Sequence, residues 1–292
     1  MAQADPDFLY RFLFEQFPVR GELIHVNAAW QELLNRADYP APVAQVLGEA
    51  LAATALLAAS IKLEGRLTLQ IQSEGPLSLL VVQCDQDLHL RGMASHDDDV
   101  VEAAALGPLL QDAQLVLTIE SADLATRYQG MVAVEGDSVR HAIESYFEQS
   151  EQLPTRLWLA VDEHCAAGML LQRVPGKAED EDAWNRCVHL AETLQNDELI
   201  ELEAQTLLRR LYHEEDLRLF EPRPVSFRCQ CSRERIATML RALGPQEMQE
   251  VLAQEGSVRV TCEFCKRRYE FDAIDVAQLF TELPLPHPPM QH

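Results

Sequence analysis

Polar and apolar residues alternate from Arg66 to Gln72 (RLTLQIQ), the period of a strand with one buried face. Ser73-Glu74-Gly75-Pro76 supplies a turn, Leu77 to Gln83 resumes the pattern, and a third strand around Leu88 to Met93 completes a meander. Similar runs at Gln114 to Ile119, Arg127 to Val134, Thr155 to Val161 and Gly168 to Val174 predict further strands. Ahead of them, Asp38-Tyr39-Pro40-Ala41-Pro42 ends an opening segment. Val43 to Lys62 then runs as an Ala/Leu-rich helix, apolar on most sides and so expected at the centre. Its longest apolar stretch, Ala50 to Ile61, is short of the ~20 residues that cross a bilayer, which predicts a buried helix. Asp137 or Ser138 can cap another helix to about Gln149, and Pro154 keeps it from running far. This mixed order argues against a doubly wound parallel sheet and for an α+β domain over residues 1–175.

The pattern changes at Val174-Pro175-Gly176-Lys177. Residues 176–228 open with Glu179-Asp180-Glu181-Asp182 and continue as two helix-like segments, about Ala183 to Gln195 and Asp197 to Tyr212. Acid-rich helices of modest apolar surface depend on docking against something else, so this stretch reads as a metastable helical linker or as an ordinary charged connector. Charge repulsion predicts that neutralising Glu179, Asp180 and Asp182 tightens its docked state. Residues 229–288 form the last unit. Ile236, Met239, Leu240 and Leu243 share a helix face, Gly244-Pro245 closes that helix, and Met248, Val251 and Leu252 mark a second before Gly256. Ser257 to Thr261 and Arg268 to Phe271 are expected strands, and Asp272 can cap a final helix through Phe280. The proline-rich tail from Pro284 to Pro289 is expected to lack structure.

Composition narrows the functional classes. The 292 residues carry 24 Lys and Arg against 47 Asp and Glu, a formal charge of −23, which disfavours nucleic acid or an anionic membrane as partner. The N-terminus lacks the basic and continuously apolar parts of a signal peptide, so a cytoplasmic location is expected. In such a reducing compartment clustered thiols bind metal or do redox work.

Four of the seven cysteines make that cluster: Cys229-x-Cys231 and, thirty residues on, Cys262-x-x-Cys265. Four thiolates match a closed tetrahedral zinc site, whereas a catalytic zinc keeps an open position; no enzymatic activity is expected. A module of about 60 residues is marginal on core burial alone, while structural zinc contributes on the order of 10–16 kcal/mol, so losing the ion should unfold it. Disulfides within each pair would close loops worth at most roughly 2 kcal/mol and could not replace it. Arg228, Arg233, Arg235, Lys266, Arg267 and Arg268 flank the cysteines and are expected to offset thiolate charge. Cys84, Cys165 and Cys187 read as small core residues, and the adjacent His164-Cys165 pair is a weak nucleophile signal. A constitutive zinc-ribbon regulator that binds nucleic acid or protein is the alternative.

The chain resembles the heat shock protein 33 family, the redox-regulated 33 kDa chaperonins, whose signature is C-x-C, about thirty residues, then C-x-x-C. The likeness extends to CQCSRER (Cys229 to Arg235), RLYHEE (Arg210 to Glu215), SEQLPTRL (Ser150 to Leu157), FLFEQFPVRGEL (Phe12 to Leu23) and DYPAPV (Asp38 to Val43). The resemblance implies an ATP-independent holdase, inactive when reduced and bound to one zinc ion. Oxidation would join Cys229 to Cys231 and Cys262 to Cys265, release zinc, unfold the C-terminal module and loosen the linker. Unfolding client proteins are then the implied partners, with a homodimer as the active form. Two departures stand out: Lys266 follows the second pair where a small or polar residue is expected, and Ala166-Ala167-Gly168-Met169 has one glycine where the family often has two.

Overall fold

The opening segment, which shows no clean alternation, folds as a hairpin of β1 (Phe8–Phe14) and β2 (Val19–Val26), with Phe8 opposite His25 and Leu13 opposite Arg20. The computed structural model describes residues 7–61, 64–98, 100, 106–121, 127–134, 138–176, 180 and 182–281. The chain divides into two compact units between Arg228 and Cys229. After the hairpin come α1 (Ala28–Leu34) and α2 (Ala41–Ser60), then β3 (Gly65–Gln72), β4 (Leu79–Asp85) and β5 (His89–Ser95), the expected meander. A short α3 (Leu106–Leu109) leads to β6 (Gln114–Ser121) and β7 (Arg127–Ala133). Next, α4 (Val139–Tyr146) is capped by Ser138, whose hydroxyl accepts from the His141 amide; Asp137, the other expected cap, lies outside the described residues. It continues as a π-helical turn, Phe147–Glu151, into β8 (Thr155–Val161) and β9 (Ala166–Arg173). Then follow α5 (Ala183–Ala191), α6 (Asn196–Glu201), α7 (Ala204–Tyr212), β10 (Leu217–Leu219), β11 (Arg223–Pro224) and β12 (Ser226–Phe227).

Two sheets result. One has the order β10-β1-β2-β9-β8, with β11 also on β1; the other runs β12-β5-β4-β3-β6-β7 and is antiparallel except for β12 beside β5. Helix α2 packs on both, and its residues from Val43 to Ala59 anchor one large core. At 20 residues it is long and apolar enough to span a bilayer, yet it lies buried among protein side chains. Gly168 on β9 permits that packing, because a Cβ there would sit 2.9 Å from the Leu56 side chain. The single glycine of Ala166-Ala167-Gly168-Met169 therefore serves a strand that meets a helix, and no turn occurs there.

The opposite face of the first sheet carries Phe12, Phe14, Leu23, Met169 and Leu171, and α5 to α7 cover it with Ala183, Cys187, Leu207, Leu211 and Tyr212. The stretch read as one helix from Asp197 to Tyr212 is broken at Leu202-Glu203. Polar ties add to this layer. His25 Nε2 donates to the Leu199 carbonyl at 2.7 Å, and Arg186 bridges Asp180 and Glu215, each at 2.7 Å, beside the Phe17 ring. Asp180 is thus paired, and Arg186 holds its carboxyl below the usual range. That overturns the expectation that neutralising it tightens docking; Glu179 lies outside the described residues.

The second unit comprises α8 (Arg233–Leu243), α9 (Pro245–Glu255), the hairpin β13 (Val258–Thr261) and β14 (Arg268–Phe271), and α10 (Ala273–Thr281). Gly256 takes the left-handed conformation (φ 78°) that ends α9 and donates its amide to the Leu252 carbonyl. Asp272 caps α10, its carboxylate accepting from the Ile274 and Asp275 amides. Eight buried residues form the core, Ala237, Leu240, Met248, Val258, Tyr269, Phe271, Val276 and Leu279. Met239 and Leu243, expected on the apolar face of α8, are 45% and 50% exposed, since the unit is too small to cover more than a narrow stripe of that helix. The tail from residue 282 lies outside the described residues.

Candidate metal centre

The four cysteines reach one point from two local structures. Cys229 and Cys231 lie just before α8, whose first turn is capped by the Ser232 hydroxyl accepting from the Arg235 amide. Cys262 and Cys265 occupy the turn between β13 and β14. There the Lys266 amide donates to the Cys262 carbonyl at 2.8 Å and the Cys262 amide to the Arg267 carbonyl at 2.9 Å. Lys266 itself takes a left-handed conformation, φ 54°, which is why a small residue suits that position better.

All four sulfurs lie within 4.8 Å of one another, with Cys229 to Cys262 at 3.6 Å and Cys231 to Cys265 at 3.3 Å. A tetrahedron of metal–sulfur bonds of ~2.3 Å has edges of about 3.8 Å, so the arrangement fits a thiophilic divalent ion without rebuilding the backbone. Burial pushes the Cys265 thiol up to about 12, and the neighbouring sulfurs push in the same direction. Several such thiols ionise together only on a cation, whose charge inverts that penalty. The four-cysteine cluster could hold a metal ion.

Sequence reading missed the residue that fastens the two halves. The Tyr269 hydroxyl, on β14, donates to Cys231 Sγ at 3.1 Å. Arg233 makes a second clasp, with its guanidinium 4.1 Å from the Phe271 ring centroid, donating to the Glu270 carbonyl and pairing with Asp275. Of the expected cationic collar, Arg267 does feel the charge of Cys231 and Cys265, while other members are engaged elsewhere. Arg233 and Lys266 are engaged by Asp275 and Glu263, and Arg235 donates to the Gln230 carbonyl. Arg228 belongs to the first unit, where it approaches His89.

The family model described as Hsp33 protein matches residues 7–272. The chain belongs to the Hsp33 family. A 33 kDa chaperonin of Methylobacillus flagellatus is 44% identical over 98% of this chain and 99% of its own length. One from Nitrosococcus oceani is 48% identical over 94% and 95%. Among solved structures, the 33 kDa chaperonin (heat shock protein 33 homologue) of Thermotoga maritima superposes with a TM-score of 0.82 over 94% of this chain and 98% of its own, at 21% identity, which supports the shared fold.

The remaining cysteines of this Hsp33 family member are core residues. Cys84, Cys165 and Cys187 are at most 3% exposed, and burial raises all three thiols, Cys165 and Cys187 to about 12, which keeps them protonated and unreactive. His164 is exposed beside Glu163 while Cys165 is buried, so the sequence neighbours occupy different environments. Asp85, Asp87 and His89 also cluster, but Asp85 accepts from the amides of Asp87 and His89 and from the His89 ring and so closes the turn between β4 and β5.

Proposed function

We propose that the chain is a redox-regulated, ATP-independent holdase whose off state is held by zinc on Cys229, Cys231, Cys262 and Cys265. The observation that carries this reading is the convergence of four sulfurs within 4.8 Å in a unit whose hydrophobic cluster has eight buried members among the described residues. Bound zinc would supply a tetrahedral anchor for four thiolates, worth on the order of 10–16 kcal/mol to such a module.

The chain's own steps follow. Hydrogen peroxide takes two electrons from each neighbouring thiolate pair and two protons from solvent, forming one disulfide and two waters per pair. The bonds formed are Cys229–Cys231 and Cys262–Cys265. They consume all four ligands and close loops worth at most roughly 2 kcal/mol, so the unit loses its fold. Residues 176–228 lead without a break into Cys229. Loss of order there releases α5 to α7 from Phe12, Phe14, Leu23, Met169 and Leu171, and that apolar face receives unfolding clients. The oxidised protein works as a homodimer in the cytoplasm, without nucleic acid or membrane and without catalysis.

The test follows zinc content, far-UV circular dichroism and light scattering by an unfolding client, before and after peroxide. The expected result is one zinc per chain released together with lost helix and new suppression of scattering. Equal suppression by the reduced protein overturns the switch, and a salt-sensitive gel shift by the reduced form points to a nucleic-acid regulator.

A further inference from the structure

A cavity of about 300 Å³ opens in the first unit beside the end of α2, apart from the face that α5 to α7 cover. Leu57, Leu67, Leu117, Ile119 and Phe147 supply much of an apolar wall, and polar groups enter from two sides. On one side Glu151 is already served, because Tyr146 Oη donates to Glu151 Oε1 at 3.0 Å and Tyr128 Oη approaches it at 3.4 Å.

On the other side is Arg20. Its Nη2 donates to the Ser60 carbonyl and to Gln172 Oε1, both at 2.6 Å, which fixes the guanidinium in place. Its Nε is buried with no acceptor. Among the described residues no carboxylate stands within ion-pair distance of it; Glu22, the acid that acts on it, is buried, and burial raises that carboxyl to about 7. An anchored cation with no carboxylate at ion-pair distance, at the rim of an apolar cavity, is complementary to an amphipathic anion.

The local backbone is built around this space. The π-helical turn Phe147–Glu151 contributes Phe147 and Glu151 to the wall, and Gln152 ends it in the left-handed conformation, φ 55°. Such turns insert one residue per helical turn, cost helix stability and recur at functional sites.

We propose that this cavity binds a medium-chain alkyl carboxylate, its carboxylate on Arg20 and its alkyl chain along Leu57, Leu117, Ile119 and Phe147. The site is independent of the cysteine switch and is present in the reduced protein.

Isothermal titration of the reduced, zinc-loaded full chain with decanoate, octanoate and decanol tests it, below micellar concentrations. Decanoate should bind once per chain, about fifteenfold more tightly than octanoate, since each buried methylene is worth about fourfold. It should also exceed decanol by at least about tenfold through the charge-assisted hydrogen bond. Arg20→Gln should bring decanoate down to the level of decanol. Because Arg20 also braces Ser60 and Gln172, Ile119→Phe provides a second variant that fills the cavity from a half-buried position and should abolish binding. Absence of saturable heat, equal affinity for decanoate and decanol, or unchanged binding by Ile119→Phe overturns the proposal.

Discussion

Tyr269 joins the cysteine halves through its hydroxyl, so Tyr269→Phe removes the bond to Cys231, together with the contact to Arg267, while leaving the buried ring in place. Groups of this kind orient a ligand, and their loss costs on the order of tenfold or more in metal affinity. Competition with a chelating dye should show zinc bound about tenfold more weakly. Lys266 carries the opposite sign. A side chain at φ 54° costs roughly 1–2 kcal/mol, against the ~0.5–1 kcal/mol that glycine loses in the unfolded chain. Lys266→Gly should therefore stabilise the second unit by about 0.5–1 kcal/mol, read as later zinc release in a thermal ramp. Glu22 makes a pH prediction. It is buried beside Arg11 and Arg20, and burial outweighs their charges and lifts its carboxyl to about 7. A raised acid binds more protons folded than unfolded between pH ~4.5 and ~7, so stability falls as pH rises through that window. Glu22→Gln should recover on the order of 3 kcal/mol at pH 8 and little at pH 4, measured by urea unfolding.

At the scale of elements, α5 to α7 are held by apolar contacts more than by their charges. Leu207 is fully buried between α7 and the first sheet, and Leu207→Ala should cost about 2–5 kcal/mol of docking. Limited proteolysis should then cut residues 176–228 in the reduced protein, and client binding should begin at a lower peroxide dose. Arg186→Ala should act in the same direction, because it removes the bridges to Asp180 and Glu215 together. These bridges were not legible in the sequence, since partners 6 and 29 residues apart meet only after the helices fold back. Strands with one covered face were legible: Gly65–Gln72 and Arg268–Phe271 lie within a residue of the bounds their alternation predicts. β1 and β2 were not, because their sheet is covered on both faces, and FLYRFLF has no polar side to reveal its period. The break between α6 and α7 carries neither glycine nor proline and so left no mark either. The cysteine cluster could be read from local spacing, whereas Tyr269 lies 38 residues from Cys231 and enters only through the register of the hairpin.

For the whole molecule, the two units should differ in their answer to metal removal. The first has a large core around α2 and two sheets, and the second, among the described residues, a core cluster of eight. Chelation under reducing conditions should abolish amide protection in α8 to α10 while β3, β4 and β6 stay protected, read by hydrogen exchange. The placement of aromatic residues gives the same molecule a built-in optical probe. Of its three tryptophans, Trp30 lies in the core around α2, while Trp158 and Trp184 belong to the layer shared by the first sheet and α5 to α7. Wetting of that layer alone would move the emission of two indoles to longer wavelength and leave the third as an internal reference, so departure of the helices can be timed in unlabelled protein.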